Sequence, residues 1–222
     1  MTVRHVIYLH GFASSPGSSK AQRFAQELLG TGVGFSCPDF NLPSFETLTI
    51  TRMLDQTRAA IAAAGAEPVA LVGSSLGAFV ALHAAAQDAT SRVDRLVLLA
   101  PALDFGGNRL RQLGEHGIDE WRRRGTIPFF HYALNRPAAV GFALYEDAAR
   151  YDAHAVDVRW PTLVFQGTRD ASVDPGMVER WASTRPTVDL RLVDDEHQLS
   201  ASVDWIWQES ARLFGLMPRA DV

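Results

Sequence analysis

Short apolar runs rich in β-branched residues recur along the chain and predict the strands of a sheet. Several are continuously apolar rather than alternating, which is typical of strands buried on both faces, as in a parallel sheet. Segments with helical spacing lie between most of them, and this alternation predicts a doubly wound α/β fold with about six mostly parallel strands. The predicted strands are Val3–Leu9, Val33–Cys37, Val69–Val72, Val93–Ala100, Thr162–Gln166 and Val188–Val193, and the predicted helices are Ser19–Leu29, Leu48–Ala64, Leu76–Ala86, Pro175–Ser183 and Ser200–Phe214.

One stretch of about 60 residues, between Pro101 and Pro161, interrupts this alternation. A single crossover helix needs far fewer residues, so we expect an inserted substructure here. Within it we expect one or two helices over Gly107–Arg124, and a hairpin over Ile127–Ala143 whose turn lies around Asn135-Arg136-Pro137. The whole chain, 1–222, is predicted to be a single domain that carries a helical and hairpin lid insertion at approximately 103–158.

Composition narrows the class of protein. Of the 222 residues, 47% are hydrophobic and 21% are charged, which is ordinary for a globular domain and too apolar for a disordered chain. The net charge of −4 does not favour nucleic acid or an anionic membrane as a partner. Cys37 is the single cysteine, so the chain offers neither an internal disulfide nor a cysteine cage for a metal. No apolar run approaches the ~20 residues of a membrane span, and the first residues do not read as a secretory signal, so we expect a cytoplasmic protein.

A Gly-Ser-Ser-Leu-Gly motif at 73–77 joins a predicted strand to a predicted helix. This context presents the central serine on a sharp turn, with the positive end of the helix dipole behind it. We therefore interpret Ser75 as a catalytic nucleophile. Ser74 is a weaker candidate because it lacks a glycine two residues away on both sides, and a glycine-rich turn with a purely structural role is the other alternative.

A nucleophilic serine needs a base. In chains with a strand–turn–helix motif of this type, the acid and then the histidine follow the serine along the sequence. His197 comes after the last predicted strand, at the sheet edge where Ser75 also lies, and is the candidate base. Asp170 comes after the penultimate strand and is the candidate acid that orients His197.

Other titratable residues near these positions have simpler expected roles. His154 precedes a predicted strand and therefore belongs to the opposite edge of the sheet. Asp174 is expected to cap the helix that begins near Pro175. The acidic neighbours of His197, residues 194–196, are expected to form a solvated turn.

Two backbone donors are needed to stabilise the oxyanion of a tetrahedral intermediate. We expect one to be the N–H of Leu76, directly after the nucleophile, and the other to be the N–H of Phe12 in the loop after the first strand. Gly11 allows that loop to turn tightly, and His10 is expected to fix the loop through a hydrogen bond rather than to act as a base.

Aromatic side chains concentrate in the predicted insertion. They either line a pocket for an acyl or aromatic group or form the small core that an insertion needs, and we expect a mixture of the two. The candidates for the substrate pocket are Phe129, Phe130, Tyr132 and Phe142.

These motifs together resemble the α/β-hydrolase superfamily, over residues from about 3 to 214. The segments that carry the resemblance are Tyr-Leu-His-Gly-Phe (8–12), Gly-Ser-Ser-Leu-Gly (73–77), Gly-Thr-Arg-Asp (167–170) and Glu-His (196–197). The opening, Tyr-Leu-His-Gly-Phe-Ala-Ser-Ser-Pro-Gly-Ser-Ser-Lys-Ala, is similar to that of small bacterial YqiA/YcfP-type esterases. The resemblance implies ester or thioester hydrolysis without a metal or other cofactor.

The sequence thus predicts a serine hydrolase that cleaves carboxylic esters or thioesters of a small to medium acyl group through an acyl-enzyme intermediate. Acyl transfer or C–C bond hydrolysis by the same triad remains open, as does a non-catalytic binding protein that keeps the fold. The expected partner is a small-molecule ester or thioester, with no nucleic acid and no membrane span.

Overall fold

The computed structural model describes residues 3–105 and 113–217 of the chain. A short 3-10 turn at Phe45–Thr47 accompanies the strands and α-helices. In chain order these are β1 (His5–Leu9), α1 (Ser19–Leu28), β2 (Gly34–Ser36), α2 (Ile50–Ala63), β3 (Val69–Ser74), α3 (Leu76–Ala86), β4 (Val93–Leu99), α4 (Gly114–Arg124), β5 (Thr126–His131), β6 (Arg136–Gly141), α5 (Ala143–Ala148), β7 (Thr162–Gly167), α6 (Pro175–Ser183), β8 (Val188–Val193) and α7 (Val203–Phe214).

Six strands form one sheet in the order β2-β1-β3-β4-β7-β8, and every neighbouring pair is parallel. Each strand predicted from an apolar run overlaps one of these six, so the predicted doubly wound α/β class is confirmed. The predicted helices correspond to α1, α2, α3, α6 and α7. Because all six strands run the same way, the loops after β3, β7 and β8 meet at one edge of the sheet, where ligands bind in folds of this class.

Helices cover both faces of the sheet and create two separate apolar cores. On one face, α1 and α7 pack together, with the rings of Phe24 and Trp207 in edge contact at 5.5 Å. The other face is covered by α2, α3, α6 and the chain between β4 and β7. Along β3, Ala70 and Val72 belong to the first core and Leu71 to the second. Both sides of this strand are therefore apolar, which explains its continuous apolar sequence.

Helix α3 is buried on nearly all sides. Every residue from Leu76 to Ala85 is buried, because the helix packs against α2 as well as the sheet. A helix that is apolar all round is typical of a protein core. No helix of the described part of the chain is both long and apolar enough to cross a membrane.

The insertion, which we define as residues 103–158, contains α4, β5, β6 and α5. Of the helical region predicted at Gly107–Arg124, the structure has a helix at Gly114–Arg124, and residues 107–112 lie outside the described residues. Helix α5 is an element that the sequence pattern does not predict. The fully buried Trp121 of α4 donates from Nε1 to the Val140 carbonyl at 2.9 Å, which fixes α4 to the hairpin.

Strands β5 and β6 form an antiparallel hairpin, paired from Thr126 with Gly141 to His131 with Arg136. Its turn lies earlier than predicted, since Arg136 already belongs to β6. Asn135 closes the turn with φ 49°, a left-handed conformation that asparagine tolerates better than most residues. The prediction of a turn centred on 135–137 is therefore corrected by about two residues.

Candidate active site

Ser75 lies at the sharp turn between β3 and α3. Its backbone has φ 54° and ψ −114°, a conformation that costs free energy in a non-glycine residue. Gly73 and Gly77 make the turn sterically feasible: a Cβ on Gly77 would lie 1.9 Å from the Leu9 carbonyl oxygen, and one on Gly73 would lie 2.4 Å from the Gly77 oxygen. The Ser75 N–H donates to the Leu99 carbonyl at 2.8 Å, so β4 also holds the turn. The strained turn presents Ser75 at the carboxyl edge of the sheet.

Ser75, His197 and Asp170 form a continuous hydrogen-bonded chain. Nε2 of His197 lies 3.1 Å from Oγ of Ser75, and Nδ1 lies 2.8 Å from Oδ2 of Asp170. Because Nδ1 faces a carboxylate, we place its proton there, which leaves Nε2 able to accept the proton of Ser75. The loops after the neighbouring strands β7 and β8 bring Asp170 and His197 to the edge of the sheet where Ser75 lies.

The side chain of Asp170 is completely buried and fully hydrogen-bonded. Oδ1 accepts the N–H groups of Ser172 at 2.8 Å and Val173 at 2.9 Å, and Oδ2 also accepts Nε2 of Gln166 at 3.0 Å. Burial by itself would raise the pKa of Asp170, but the hydrogen bonds from His197, Val173 and Gln166 outweigh it and hold the pKa below its usual value. The carboxylate therefore stays ionised and can compensate a positive charge on the imidazole.

Other titratable residues near the site have different surroundings. Asp174 is exposed and caps α6, accepting a backbone N–H at 3.0 Å. His154 is also exposed. Asp195 is only 6% exposed and accepts the N–H and hydroxyl of Ser202 at 3.0 and 2.9 Å, so it braces the loop that carries His197. The expectation of a solvated turn is corrected for Asp195, whereas Asp194 and Glu196 are exposed. Within residues 3–105 and 113–217, no group of three or more His, Cys, Asp or Glu side chains is placed to hold a metal ion.

The two candidate oxyanion donors lie beside Ser75. Leu76 is the first residue of α3, so its N–H has no carbonyl partner within the helix. Phe12 lies in a tight turn after β1, in which the Ser14 N–H donates to the Gly11 carbonyl at 3.3 Å. A Cβ on Gly11 would lie 3.4 Å from the Ser75 Cβ, so this turn lies directly against Ser75. Leu76 and Phe12 both line the cleft that contains Ser75, as an oxyanion hole requires.

His10 holds the turn that carries Phe12. Its Nδ1 donates to the Gly11 carbonyl at 2.9 Å, and its Nε2 accepts the Phe40 N–H at 3.0 Å. Burial lowers the pKa of His10, which favours the neutral ring that can make both bonds. His10 therefore braces the loop.

A cleft of about 840 Å³ opens over Ser75 and His197. Three of the four predicted pocket residues, Phe129, Phe130 and Tyr132, lie along its wall. They come from β5 and the turn that follows it. The insertion thus supplies one wall of the cleft, and the loops that carry Ser75 and His197 supply another part of its lining.

The fourth predicted pocket residue, Phe142, lies elsewhere. It is 8% exposed and packs against the rings of Trp121 at 5.7 Å and Tyr145 at 5.4 Å, with the Arg122 guanidinium over its ring. Because Phe142 follows β6 and begins the turn into α5, its ring faces α4. The prediction for Phe142 is therefore corrected: it belongs to the internal core of the insertion.

Lys20 and Tyr8 are among the polar residues of the cleft that the sequence does not point to. Lys20 lines the cleft although it is only 8% exposed, and its Nζ donates to the carbonyl of Gln198, next to His197. Tyr8 lines the same cleft and is 1% exposed. The one sequence feature that could have drawn attention to Lys20 is that it is the single lysine among 21 basic residues. Its burial is not evident from the sequence, because the burial of a residue in the first turn of α1 depends on contacts that are distant in sequence.

Solved structures with the same fold are numerous. A presumed hydrolase from Agrobacterium vitis S4 is 27% identical, with a TM-score of 0.83 over 95% of this chain and 87% of that one. A presumed hydrolase of the alpha/beta superfamily from Xanthomonas campestris pv. campestris is 25% identical, with a TM-score of 0.63 over 96% of this chain and 99% of that one. Est1E from Butyrivibrio proteoclasticus, solved with ferulic acid bound, is 16% identical, with a TM-score of 0.80 over 97% and 89% of the two chains. These neighbours establish the α/β-hydrolase fold and support a hydrolase.

Comparison of the sequence with protein families identifies one that spans nearly the whole chain. No curated protein matches the chain significantly. The family described as "Uncharacterised protein family (UPF0227)" matches residues 5–211, which run from β1 into α7 and include Ser75, Asp170 and His197. This match confirms the YqiA-type resemblance carried by the N-terminal motif. The chain therefore belongs to UPF0227 and has the α/β-hydrolase fold.

Proposed function

We propose that this protein is a serine hydrolase that cleaves carboxylic esters or thioesters of a small to medium acyl group, with Ser75, His197 and Asp170 as its triad. The observation that carries the proposal is the pair of hydrogen bonds at His197, 3.1 Å to Ser75 and 2.8 Å to Asp170. The strained backbone of Ser75 costs stability, and such strain concentrates at functional sites, as do carboxylates whose pKa is shifted by a specific partner.

In the proposed first step, Oγ of Ser75 attacks the acyl carbonyl while Nε2 of His197 takes its proton. Asp170 stabilises the imidazolium that forms. The N–H groups of Phe12 and Leu76 donate to the oxyanion of the tetrahedral intermediate. Collapse of this intermediate breaks the bond to the leaving group, which takes the proton from Nε2 and leaves Ser75 acylated.

The second step regenerates the enzyme. His197 takes a proton from a water molecule, the resulting hydroxide attacks the acyl-enzyme, and the same N–H groups bind the second oxyanion. The proton then returns from Nε2 to Oγ of Ser75, and the carboxylic acid product leaves. These steps use side chains and backbone groups of the chain together with one water molecule.

The cleft supports a substrate with an apolar or aromatic portion. Its volume of about 840 Å³ lies within the roughly 300–1,000 Å³ usual for small-molecule sites. Phe129, Phe130 and Tyr132 offer aromatic surface along one wall. Ferulic acid, an aromatic acid, is bound to Est1E, a neighbour of the same fold.

The decisive experiment combines a fluorophosphonate probe with p-nitrophenyl esters of graded chain length and acyl-CoA thioesters. The probe should label Ser75, and Ser75→Ala should abolish labelling and lower kcat by at least about 10³-fold without changing the melting temperature by more than a few degrees. Ser74→Ala is the matched control, because the same hydroxyl is removed one residue away, and it should still be labelled. Undiminished ester hydrolysis by Ser75→Ala would falsify the proposal.

A further inference from the structure

The cleft has two chemically different ends. Phe12, Phe105 and Phe129 line it and pack on the core beneath the insertion, so this end is apolar. Tyr8 also lines the cleft, but its ring packs in the core on the opposite face of the sheet, with α1 and α7. Lys20, in the first turn of α1, lies at this second, polar end. The carboxyl end of β3 lies between the two cores and carries the nucleophile into the cleft.

Lys20 is a buried cation whose hydrogen bond goes to an uncharged group. Its Nζ donates to the carbonyl of Gln198, while an ammonium group has three donors to satisfy. Burial lowers the pKa of Lys20 to about 8, although the charge of Asp195 raises it. Asp195 is occupied by the N–H of Glu196 and by Ser202. A buried charge costs free energy unless it is paired, so an anion in the cleft would relieve this cost.

Further donors line the same cleft as Lys20. Ser18, the N-cap of α1, makes no capping hydrogen bond with its hydroxyl, and it lines the cleft at a helix N terminus, where anions are favoured. The hydroxyl of Tyr8 is buried and has no hydrogen bond of good geometry to any described group, its neighbour Ser74 included. Among the described residues that line the cleft, none is Asp or Glu, and Asp195, whose charge acts on Lys20, lies outside this lining.

We propose that the polar end of the cleft binds a negatively charged group of the substrate, a carboxylate or a phosphate. Lys20 supplies the charged contact, and the hydroxyls of Tyr8 and Ser18 donate further hydrogen bonds. This proposal rests on the proposed hydrolase function and narrows it: the substrate is an ester with an apolar part for the Phe105 and Phe129 end and an anionic group for the Lys20 end.

The alternative role for Lys20 is purely structural. Its bond to Gln198 also tethers the loop that carries His197. A tether acts on every substrate alike, since it affects the position of the base, whereas an anion subsite acts only on substrates with a negative charge. The two roles therefore separate when matched neutral and anionic esters are compared.

The experiment measures kcat/KM for matched esters. p-Nitrophenyl hydrogen glutarate and p-nitrophenyl pentanoate differ only by a carboxylate in place of a methyl group on the acyl side. 4-Acetoxybenzoate and its methyl ester make the same comparison on the leaving-group side, and 4-acetoxyphenyl phosphate tests a phosphate in place of the carboxylate. We expect at least one anionic ester to be preferred by about 10- to 100-fold, as a charge-assisted contact predicts, and the carboxylate and phosphate members identify which anion is bound.

The variants test which residues carry this preference. Lys20→Met should lower the ratio of anionic to neutral kcat/KM by about 10-fold or more, and Lys20→Arg should keep most of it. Tyr8→Phe should also lower the ratio, and it removes a hydroxyl that has no good hydrogen bond to lose. Arg23→Met is the matched control, because it removes one positive charge from the same helix at a site paired with Glu27 and Asp204, and the ratio should be unchanged.

Two results would overturn the subsite. One is a wild-type enzyme that hydrolyses every neutral and anionic pair equally. The other is a Lys20→Met variant that loses both members of a pair by the same factor, which is the signature of a tether. Both leave the proposed function standing as long as hydrolysis of the neutral esters still depends on Ser75. If Ser75→Ala retains that hydrolysis, the proposed function fails first.

Discussion

Replacing Asp170 with asparagine tests the proposed triad most sharply, because its effects on the hydrogen bonding and on the charge beside His197 can be predicted atom by atom. The volume hardly changes, so the cost lies in charge and hydrogen bonding. Oδ1 accepts two backbone N–H groups, from Ser172 and Val173, at 2.8 and 2.9 Å. An amide NH2 placed there would oppose two donors. The amide oxygen must therefore occupy the Oδ1 position, and the NH2 group must face Nδ1 of His197.

This orientation forces the wrong tautomer on the imidazole. The amide donates to Nδ1, so the ring proton moves to Nε2, which faces Oγ of Ser75 at 3.1 Å and can no longer accept its proton. The variant also lacks the negative charge that stabilises the imidazolium. Exchange of this kind in a serine triad lowers kcat by about 10⁴-fold, which corresponds to about 5 kcal/mol of transition-state stabilisation.

The assay is kcat for a neutral p-nitrophenyl ester, measured together with thermal unfolding. Asp174→Asn is the matched control, since it makes the same chemical change four residues away on an exposed cap, and its kcat should stay within about twofold of the wild type. If Asp170→Asn keeps kcat within tenfold of the wild type while remaining folded, Asp170 does not orient the base, and the reasoning about its oxygens is refuted.

Three further predictions concern stability and are read from urea unfolding. Gly77→Ala should cost about 3 kcal/mol or more, because its Cβ would lie 1.9 Å from the Leu9 carbonyl oxygen; wild-type stability would contradict the close approach. Trp121→Ala should cost about 3–5 kcal/mol, because a fully buried ring and its bond to Val140 are lost, and a cost below about 1 kcal/mol would argue against that packing. Burial lowers the pKa of His83 to about 4, so between pH 6.5 and 4 the unfolded chain binds more protons at this residue than the folded one. His83 alone should lower stability by up to about 3 kcal/mol as the pH falls through that window, and His83→Leu should reduce the slope by that share; an unchanged slope would contradict the burial of a neutral His83.

The elements that the sequence predicts best are those whose signal is local. The apolar run at Val69–Val72 needs no knowledge of its neighbours to be recognised as a buried strand, and the glycines around Ser75 specify the turn that follows it. The order of acid and histidine then follows from the parallel sheet, because residues after β7 and β8 meet Ser75 at one edge.

The features that the sequence does not reveal depend on partners far along the chain. Lys20 has the sequence context of an ordinary residue in a first helical turn, and its burial arises from Gln198, 178 positions away. Asp195 sits in an acidic run that is typical of a solvated loop, yet Ser202 folds back over it. The sequence indicates a hairpin turn around residues 135–137 because asparagine and proline favour turns, whereas pairing across the hairpin keeps Arg136 and Pro137 in β6.

The insertion holds the turn that carries Phe12, in addition to supplying one wall of the cleft. At the end of the hairpin, the Tyr132 N–H donates to the carbonyl of Ala13, directly after Phe12. Asn41 joins the same two parts, since its side-chain NH2 donates to the Ser14 carbonyl at 2.8 Å and its amide oxygen lies 3.0 Å from Nε2 of His131. The turn that offers the Phe12 N–H is therefore hydrogen-bonded to the wall that offers aromatic surface to a substrate. Because one set of contacts fixes both, a substitution that shifts the hairpin should change kcat together with KM, whereas a substitution that only trims an aromatic ring of the wall should change KM first.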